Sequence, residues 1–390
     1  MTALRTNLFA VALGLCLLGN VMVYSATSRN FETHYLLVRF AHLALGMIAF
    51  FAAKRVRYTS WRALAPGFYL LVLASLILVL IPGIGTEAGG ARKWFDLGPL
   101  HLQPAEFAKL AAVLLLSCAV ARARPDSGLP VWPVLAVGLL LGLVLLEPDF
   151  GTSVVVAAGA AGVLWASELR TRDLLVFGGA AFVALVGMML LAPYRRDRFM
   201  AFLDPWSVPE GSGYQMVQSM VAIKGGSFFG SGIGAGAAEE VFLPEVQTDM
   251  IFALIGAEFG LVGMVAVIGA FSFLALAGFK IALNAPSVMG RCLAAGLATM
   301  LTVQATFNVG AVMGALPITG ITLPFVSYGG SSVLVCFAAV GILYRISEDG
   351  ERAREAKPSK ASTGNAGRVA GLDRRRRNGG TRDPRALRGG

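Results

Sequence analysis

The sequence predicts an all-α polytopic membrane protein of about ten transmembrane helices, with a long extracytoplasmic loop between helices 7 and 8. Three observations carry that reading. Hydrophobic residues make up 56% of the 390 and charged residues only 14%, where a soluble domain has about a quarter charged. The mean hydropathy is +0.69, so the chain cannot cover its own surface with polar groups and lipid must solvate much of it. The apolar residues also fall into ten segments, near 7–25, 36–53, 64–82, 105–121, 131–146, 153–167, 173–192, 250–279, 290–313 and 330–346.

Most of these segments approach the roughly 20 residues that a spanning helix needs. Residues 8–24 have no small-residue cleavage site cleanly behind them and are read as a membrane helix, not a signal peptide. The fifth and sixth segments are short and tightly joined through Glu147, Pro148 and Asp149. Basic residues set the orientation. Lys54, Arg55, Arg57 and Arg62 follow helix 2, Arg122 and Arg124 follow helix 4, and Arg170 and Arg172 follow helix 6. Lys280 and Arg291 flank the 8–9 connection. All fall on one side of a ten-helix chain, which places that side and both termini in the cytoplasm. Two connections on the other side carry cations: Arg92 and Lys93 between helices 3 and 4, and Arg195, Arg196, Arg198 and Lys224 between helices 7 and 8. An anionic ligand is one reason for cations there.

Much of the net charge of +10 lies after residue 350, in an Arg- and Gly-rich run. Such a run cannot bury a core, so the chain divides into a transmembrane domain at 1–349 and a disordered basic cytoplasmic tail at 350–390. Beside a membrane, anionic lipid explains a basic tail better than nucleic acid does. Cys16, Cys118, Cys292 and Cys336 sit in apolar runs, and His34, His42 and His101 lack ligand spacing, so no structural metal is expected. No internal repeat supports an inverted-repeat transporter.

The loop between helices 7 and 8 is too rich in Gly and Pro to span a membrane and too apolar for a solvated linker. Met216–Ile223 reads as a short interfacial helix. The glycines from 225 to 236 permit tight turns and close backbone approach, but no P-loop lysine follows them. Asp249 opens helix 8, either as an N-cap or as a carboxylate facing a substrate at the membrane's outer edge. Glu106 and Lys109 share a face of helix 4 and pair, for structure or for catalysis. Arg39 and His42 share a face of helix 2. Arg39 either snorkels or points inward at an anion. Asp149 either caps helix 6 or serves the site. Glu258, Gln304 and Asn308 lie deeper, where polar residues mark function or bond between helices.

The motifs MVYSAT, GARKWFDLGPLHLQPAEFAKL, EPDFGTSVVV, FLDPW, GSGYQMVQS, FLPEVQTDMIFA and LPITGITLPFVSYGGSS follow in that order. Together they resemble the FtsW/RodA/SpoVE (SEDS) family over residues 8–346. The resemblance implies a peptidoglycan glycosyltransferase of the bacterial cytoplasmic (inner) membrane that polymerises lipid II, a disaccharide-pentapeptide on undecaprenyl pyrophosphate. It makes Asp249 the catalytic residue. It maps family pairs onto Glu106 with Lys109, Arg92 with Lys93, and Arg195 with Arg198, and the family's PD-x-GT acid onto Asp149. Ala105 and Gln247 depart from the family's usual Ser and His. FLDPW with GSGYQ looks like the division member, PITGI like the elongation member, and the division type is favoured.

In the implied reaction Asp249 takes the proton of the acceptor sugar's 4-hydroxyl as it attacks the donor's anomeric carbon, with inversion. Arg92, Lys93, Arg195 and Arg198, with Arg39, hold the pyrophosphates. A divalent cation, Mg or Mn, could share that work. The family also implies a class B penicillin-binding protein transpeptidase as partner, and other division or elongation machinery. A lipid II flippase and a non-catalytic scaffold are the rival functions. The topology has its own test. Reporters placed after Arg345 and near Ser212 should label from opposite sides of the membrane. Labelling from one side would overturn the ten-helix count.

Overall fold

The chain is described by a computed structural model that covers residues 1–27, 33–88, 91–98, 100–123, 128, 130–191, 193–234 and 246–356. Helices α1 (Thr2–Thr27), α2 (Thr33–Arg55) and α3 (Trp61–Val79) come first. A small sheet follows, then α4 (Pro104–Val120), α5 (Val131–Leu146), α6 (Phe150–Trp165) and α7 (Thr171–Leu191). Two shorter helices, α8 (Pro193–Leu203) and α9 (Tyr214–Gly225), precede α10 (Ile251–Leu283), α11 (Val288–Val312) and α12 (Gly330–Glu355). Each of the ten apolar segments thus carries a helix. Among the described residues, six of these, α1 to α3 and α10 to α12, are long and apolar enough to cross a membrane, and α5 and α6 are shorter apolar helices. Helix α12 runs on to Glu355, so the expected disordered tail does not begin at residue 350, and the rest of it, residues 357–390, lies outside the described residues.

The lipid requirement explains the surface. Leu37, Leu71, Phe182, Leu276 and Leu283 are largely exposed on helix faces, a pattern that a soluble monomer avoids. The core instead gathers around α4, α6 and α11. Ala105, Ala108, Ala111 and Ala112 of α4 are fully buried. A Cβ on Gly296 of α11 would run into Val113 of α4 and Val163 of α6. Small residues let helix backbones approach where lipid provides no hydrophobic drive between helices.

The connection between α3 and α4 is a three-stranded antiparallel sheet in the order β1 (Thr86–Ala88), β2 (Ala91–Leu97), β3 (Leu100–Leu102). Thr86 pairs with Trp94, and Asp96 pairs with His101. Gly98 turns β2 into β3 at φ 78°, and its N–H donates to Asp96 Oδ1 at 3.0 Å. An all-helical reading passes over this sheet because two of its three strands, β1 and β3, are three residues long and leave no periodicity to detect.

The glycine-rich stretch after α9 has a structural task. Helix α10 breaks at Gly260, where φ is 62° and ψ −158°. The loop fills the break: Leu261 N–H donates to Ser227 O at 3.0 Å, Ser231 N–H to Ala257 O at 3.0 Å and Gly232 N–H to Glu258 O at 3.1 Å. Gly230 sits at φ 80°, and a Cβ there would run into the Glu258 carbonyl. Backbone groups freed by a helix break inside a membrane protein must find such partners. Ahead of the loop, α9 does not lie free at an interface. Its Met216, Val217, Ser219 and Ala222 are buried, and Ser219 Oγ donates to Val312 O of α11 at 2.9 Å.

Arg39 is fully buried. Its Nε donates to Asn20 Oδ1 of α1 at 3.1 Å, its Nη1 to Ser327 O at 2.7 Å, and its Nη2 to Phe325 O at 2.5 Å and Val326 O at 2.9 Å. The guanidinium fork is filled by backbone carbonyls, so Arg39 is a latch and not the anion ligand that its sequence position suggested. The latch holds a strained turn, with Phe325 at φ 65°, a conformation that non-glycine residues rarely adopt. Lysine offers a point charge instead of a planar fork. Arg39→Lys should leave buried carbonyls unpaired at a cost of about 1–3 kcal/mol. The measurements are thermal unfolding and hydrogen exchange: the midpoint should fall and residues 320–332 should exchange faster. A variant with wild-type midpoint and exchange would show that the latch holds nothing.

Candidate active site

Two polar side chains one turn apart on α11, Gln304 and Asn308, organise one end of the bundle. Asn308 Nδ2 donates to Asp249 O at 2.8 Å and to Ile321 O at 2.7 Å. Gln304 Nε2 donates to Thr322 O at 3.1 Å and contacts Ser332 Oγ at 3.3 Å. Both residues therefore bond between helices and loops, joining the turn before α10 to the segment between α11 and α12. Two further bonds join the same pieces: Ser327 Oγ donates to Thr248 O at 2.5 Å, and Tyr328 N–H donates to Gln247 O at 2.8 Å.

These pieces enclose a cavity of about 470 Å³, within the usual size range of ligand sites. Lys93 and Trp94 of β2, His101 of β3, Gln103, Asp149, Thr248, Asp249, Gly320 and Thr322 line it. His42, Tyr328, Ser331 and Ser332 complete the wall. Lys93, Asp149 and Asp249, separate in sequence, thus share one space.

Asp249 is partly buried, and its Oδ1 accepts from Thr248 Oγ1 at 3.2 Å. The N-cap position of α10 belongs to Met250, one residue after Asp249. Asp149 is the N-cap of α6, with Oδ1 accepting from Thr152 N–H at 3.0 Å. Its Oδ2 accepts from Gln103 Nε2 at 2.9 Å. Capping and cavity lining therefore coincide in Asp149. Two residues earlier, Glu147 is fully buried, with neither carboxyl oxygen hydrogen-bonded among the described residues. Burial pushes its pKa up to about 9; the Asp149 carboxylate adds to the rise and the Lys93 ammonium opposes it. Glu147 consequently carries its proton at neutral pH.

Arg92, Arg198, Arg39, Glu106 and Lys109 do not line the cavity. Arg92 pairs with Glu87 at 3.1 Å across β1 and β2. Arg198 of α8 sits beside a small crevice with Met216 and Ile318. Arg195 also belongs to α8, but its side chain lies outside the described residues. Arg39 forms the latch. Glu106 and Lys109 are buried and pair at 2.6 Å, and Lys109 Nζ donates to Gln304 Oε1 at 2.8 Å. The pair thereby backs the cavity floor through Gln304. The sequence reading did not single out Gln103, His101, Tyr328, Ser331 or Ser332 as site residues. The signal available for the last three was the SYGGSS run at the start of α12.

Comparison with known proteins adds five findings. The family profile described as "Cell cycle protein" (FTSW_RODA_SPOVE) matches residues 5–352. A probable peptidoglycan glycosyltransferase FtsW from Aromatoleum aromaticum is 40% identical over 354 residues, covering 86% of each chain. Stage V sporulation protein E from Bacillus subtilis is 35% identical over 361 residues, 89% of this chain and 99% of that one. Among solved structures, a chain from a peptidoglycan synthase complex that coordinates polymerization and crosslinking aligns with a TM-score of 0.73 at 32% identity, covering 88% of this chain and 97% of that one. The rod shape determining protein RodA of Thermus thermophilus aligns with a TM-score of 0.66 at 30% identity, covering 88% and 96%.

The buried pair gives a separable forecast. Removing one member of a buried ion pair leaves an uncompensated charge, at about 3–5 kcal/mol. Glu106→Gln and Lys109→Met should each lower the thermal midpoint, and the double variant should recover part of the loss. A thermal-shift series on purified protein reads this. Single variants of wild-type stability would show that the pair does not support the cavity floor.

Proposed function

The chain belongs to the FtsW/RodA/SpoVE family, and we propose that it polymerises lipid II into glycan strands as a division-type peptidoglycan glycosyltransferase. The observation that carries this reading is the single cavity in which Lys93, Asp149 and Asp249 meet. The curated relatives named FtsW, at 40% and 37% identity, support the division type.

The reaction joins the acceptor's 4-hydroxyl to the donor's anomeric carbon and releases undecaprenyl pyrophosphate. One inversion converts the α-linked pyrophosphate into a β-linked glycan, so a single general base suffices. Asp249 fills that role: its backbone is held by Asn308, and its side chain borders the cavity. The hydroxyl proton passes to the Asp249 carboxylate as the new C–O bond forms and the bond to pyrophosphate breaks. The leaving pyrophosphate keeps its electron pair and needs no proton where cations meet its charge. Lys93 is the cation on the cavity wall. Arg92 beside it, and Arg195 and Arg198 on α8, are assigned to the same pyrophosphate-binding side on motif grounds. Asp149, fixed by Thr152 and Gln103, orients sugar hydroxyls. A divalent cation, Mg or Mn, would share the charge of the pyrophosphate, and Asp149 and Asp249 are the carboxylates on the cavity that would hold it.

The partner we assign is a class B penicillin-binding protein transpeptidase. The similarity to a chain of a synthase complex that couples polymerization with crosslinking supports it. We place the chain in the bacterial cytoplasmic membrane with both termini inside, a transmembrane domain at 1–349 and a tail at 350–390.

Asp249→Asn tests the base directly. Asparagine keeps the shape of aspartate and one acceptor oxygen but cannot take the proton. Polymer formation should fall by about 10²–10⁴-fold, with lipid II binding and size-exclusion profile retained. The measurement compares polymer made by wild type and variant, each with its transpeptidase. Near-normal polymer from the variant would remove Asp249 from the mechanism and move the role to Asp149. A flippase or a scaffold would form no polymer even as wild type.

A further inference from the structure

The tryptophans of the chain divide by their surroundings. Trp132 at the start of α5, Trp165 at the end of α6, and Trp206 are largely exposed, the placement of a membrane-interface belt. Trp61 packs on the core. Trp94 of β2 does neither. It is partly buried, it is not among the side chains packed on the core, and it lines the cavity.

The register of the sheet explains that position. Opposed residues of an antiparallel pair share a face, and so do residues two apart along a strand. Thr86 opposes Trp94, and Asp96 opposes His101. Thr86, Trp94, Asp96 and His101 therefore share one face of the sheet, and Thr86, Trp94 and His101 all line the cavity. The sheet lays this face along the cavity, with the indole on its central strand. No other ring stacks on the indole among the described residues. Its Nε1 has no hydrogen-bond partner among them and is not sealed in protein, unlike the Nε1 of Trp61.

The chemistry of this wall indicates which part of a ligand would meet the ring. A pyranose has an apolar face of C–H groups and a rim of oxygens. An indole offers the matching pair, a broad rigid apolar surface and one N–H at its edge. Lys93, the residue before Trp94, borders the same cavity and suits the pyrophosphate. That pyrophosphate carries a sugar on one side and a polyprenyl chain on the other. Gln103, Asp149 and Asp249 share the cavity with Trp94, and such polar side chains favour the sugar.

We propose that Trp94 is a substrate-binding residue that stacks on a pyranose ring of the lipid-linked disaccharide and donates its Nε1–H to a hydroxyl or acetamido oxygen of that sugar. The proposal deepens the glycosyltransferase reading above and rests on it. Trp94 moves no proton in the reaction; it fixes the plane of the sugar beside the Lys93 ammonium.

The test uses the full chain with its transpeptidase in four forms: wild type, Trp94→Phe, Trp94→Leu and Trp94→Ala. Binding of lipid II labelled with a fluorophore on its peptide is measured first, and unlabelled undecaprenyl pyrophosphate, which has no sugar, then competes for the site. Losing the apolar contact of one pyranose face should raise the Kd for lipid II about tenfold in the Leu and Ala variants. Their affinity for undecaprenyl pyrophosphate should stay at the wild-type value. Phenylalanine keeps a ring without the N–H and should bind lipid II more tightly than leucine does. Initial polymerisation rates should show the same order in KM. An unchanged Kd for lipid II in the Leu and Ala variants would overturn the proposal. So would an equal loss of affinity for undecaprenyl pyrophosphate, a phenylalanine variant no better than leucine, or losses that follow the thermal midpoint across the variants. A wild type that binds lipid II but forms no polymer would count against the glycosyltransferase reading alone, and the Kd series would still decide the role of Trp94. A wild type that binds no lipid II would overturn both.

Discussion

A single buried guanidinium sets the frame on which the cavity depends. Arg39 collects three successive carbonyls, from Phe325, Val326 and Ser327, and ties them to Asn20 of α1. An unpaired charge at that depth would be costly, and dipoles packed around it offset the cost. Once the turn is fixed, Ser327 and Tyr328 reach the backbone of Thr248 and Gln247. Asp249 is the next residue. A side chain in α2 thereby determines where a carboxylate at the start of α10 stands, although Arg39 does not line the cavity.

The rest of the site repeats that arrangement of buried polar groups acting through backbone. Gln304 and Asn308 bind both walls, and the Glu106–Lys109 pair supports Gln304 from below. Networks of this kind specify one geometry when all their members are satisfied. Glu147, His42, Asn20 and Asn308 each keep a polar atom without a hydrogen-bond partner among the described residues. Glu147 answers its burial by holding a proton, with its pKa pushed up to about 9. Around the network, the broken helix α10 and the loop that fills it show how irregular backbone persists within an apolar bundle: every freed amide or carbonyl named above has a protein partner.

The helical framework was readable because lipid imposes long apolar runs, and each of the ten runs carries a helix. Small features were not readable. The strands of β1 and β3 are three residues each and carry no periodic signal. Arg39 and Arg92 look alike as basic residues in a sequence, yet one is filled by carbonyls and the other pairs with Glu87 at the surface. What separates them is tertiary: the partners of Arg39 on the 325–327 turn lie 286 to 288 residues away. Asp149 shows a different limit. Cap and site were alternatives for one carboxylate in the sequence, but its two oxygens divide the tasks in the structure. The walls formed by Gly320–Ser332 could be named as a motif but not shaped, because their form comes from bonds to α2, α11 and the 247–249 turn.

The central claim is that glycan chemistry occurs in the cavity bounded by Lys93, Asp149 and Asp249. A structure of the catalytically arrested chain with its transpeptidase and bound lipid-linked disaccharide tests it most directly. The account predicts sugar density inside this cavity, with the pyrophosphate on the Lys93 side and a sugar hydroxyl at residue 249. Sugar density elsewhere on the bundle, with this cavity empty at saturating substrate, would contradict it.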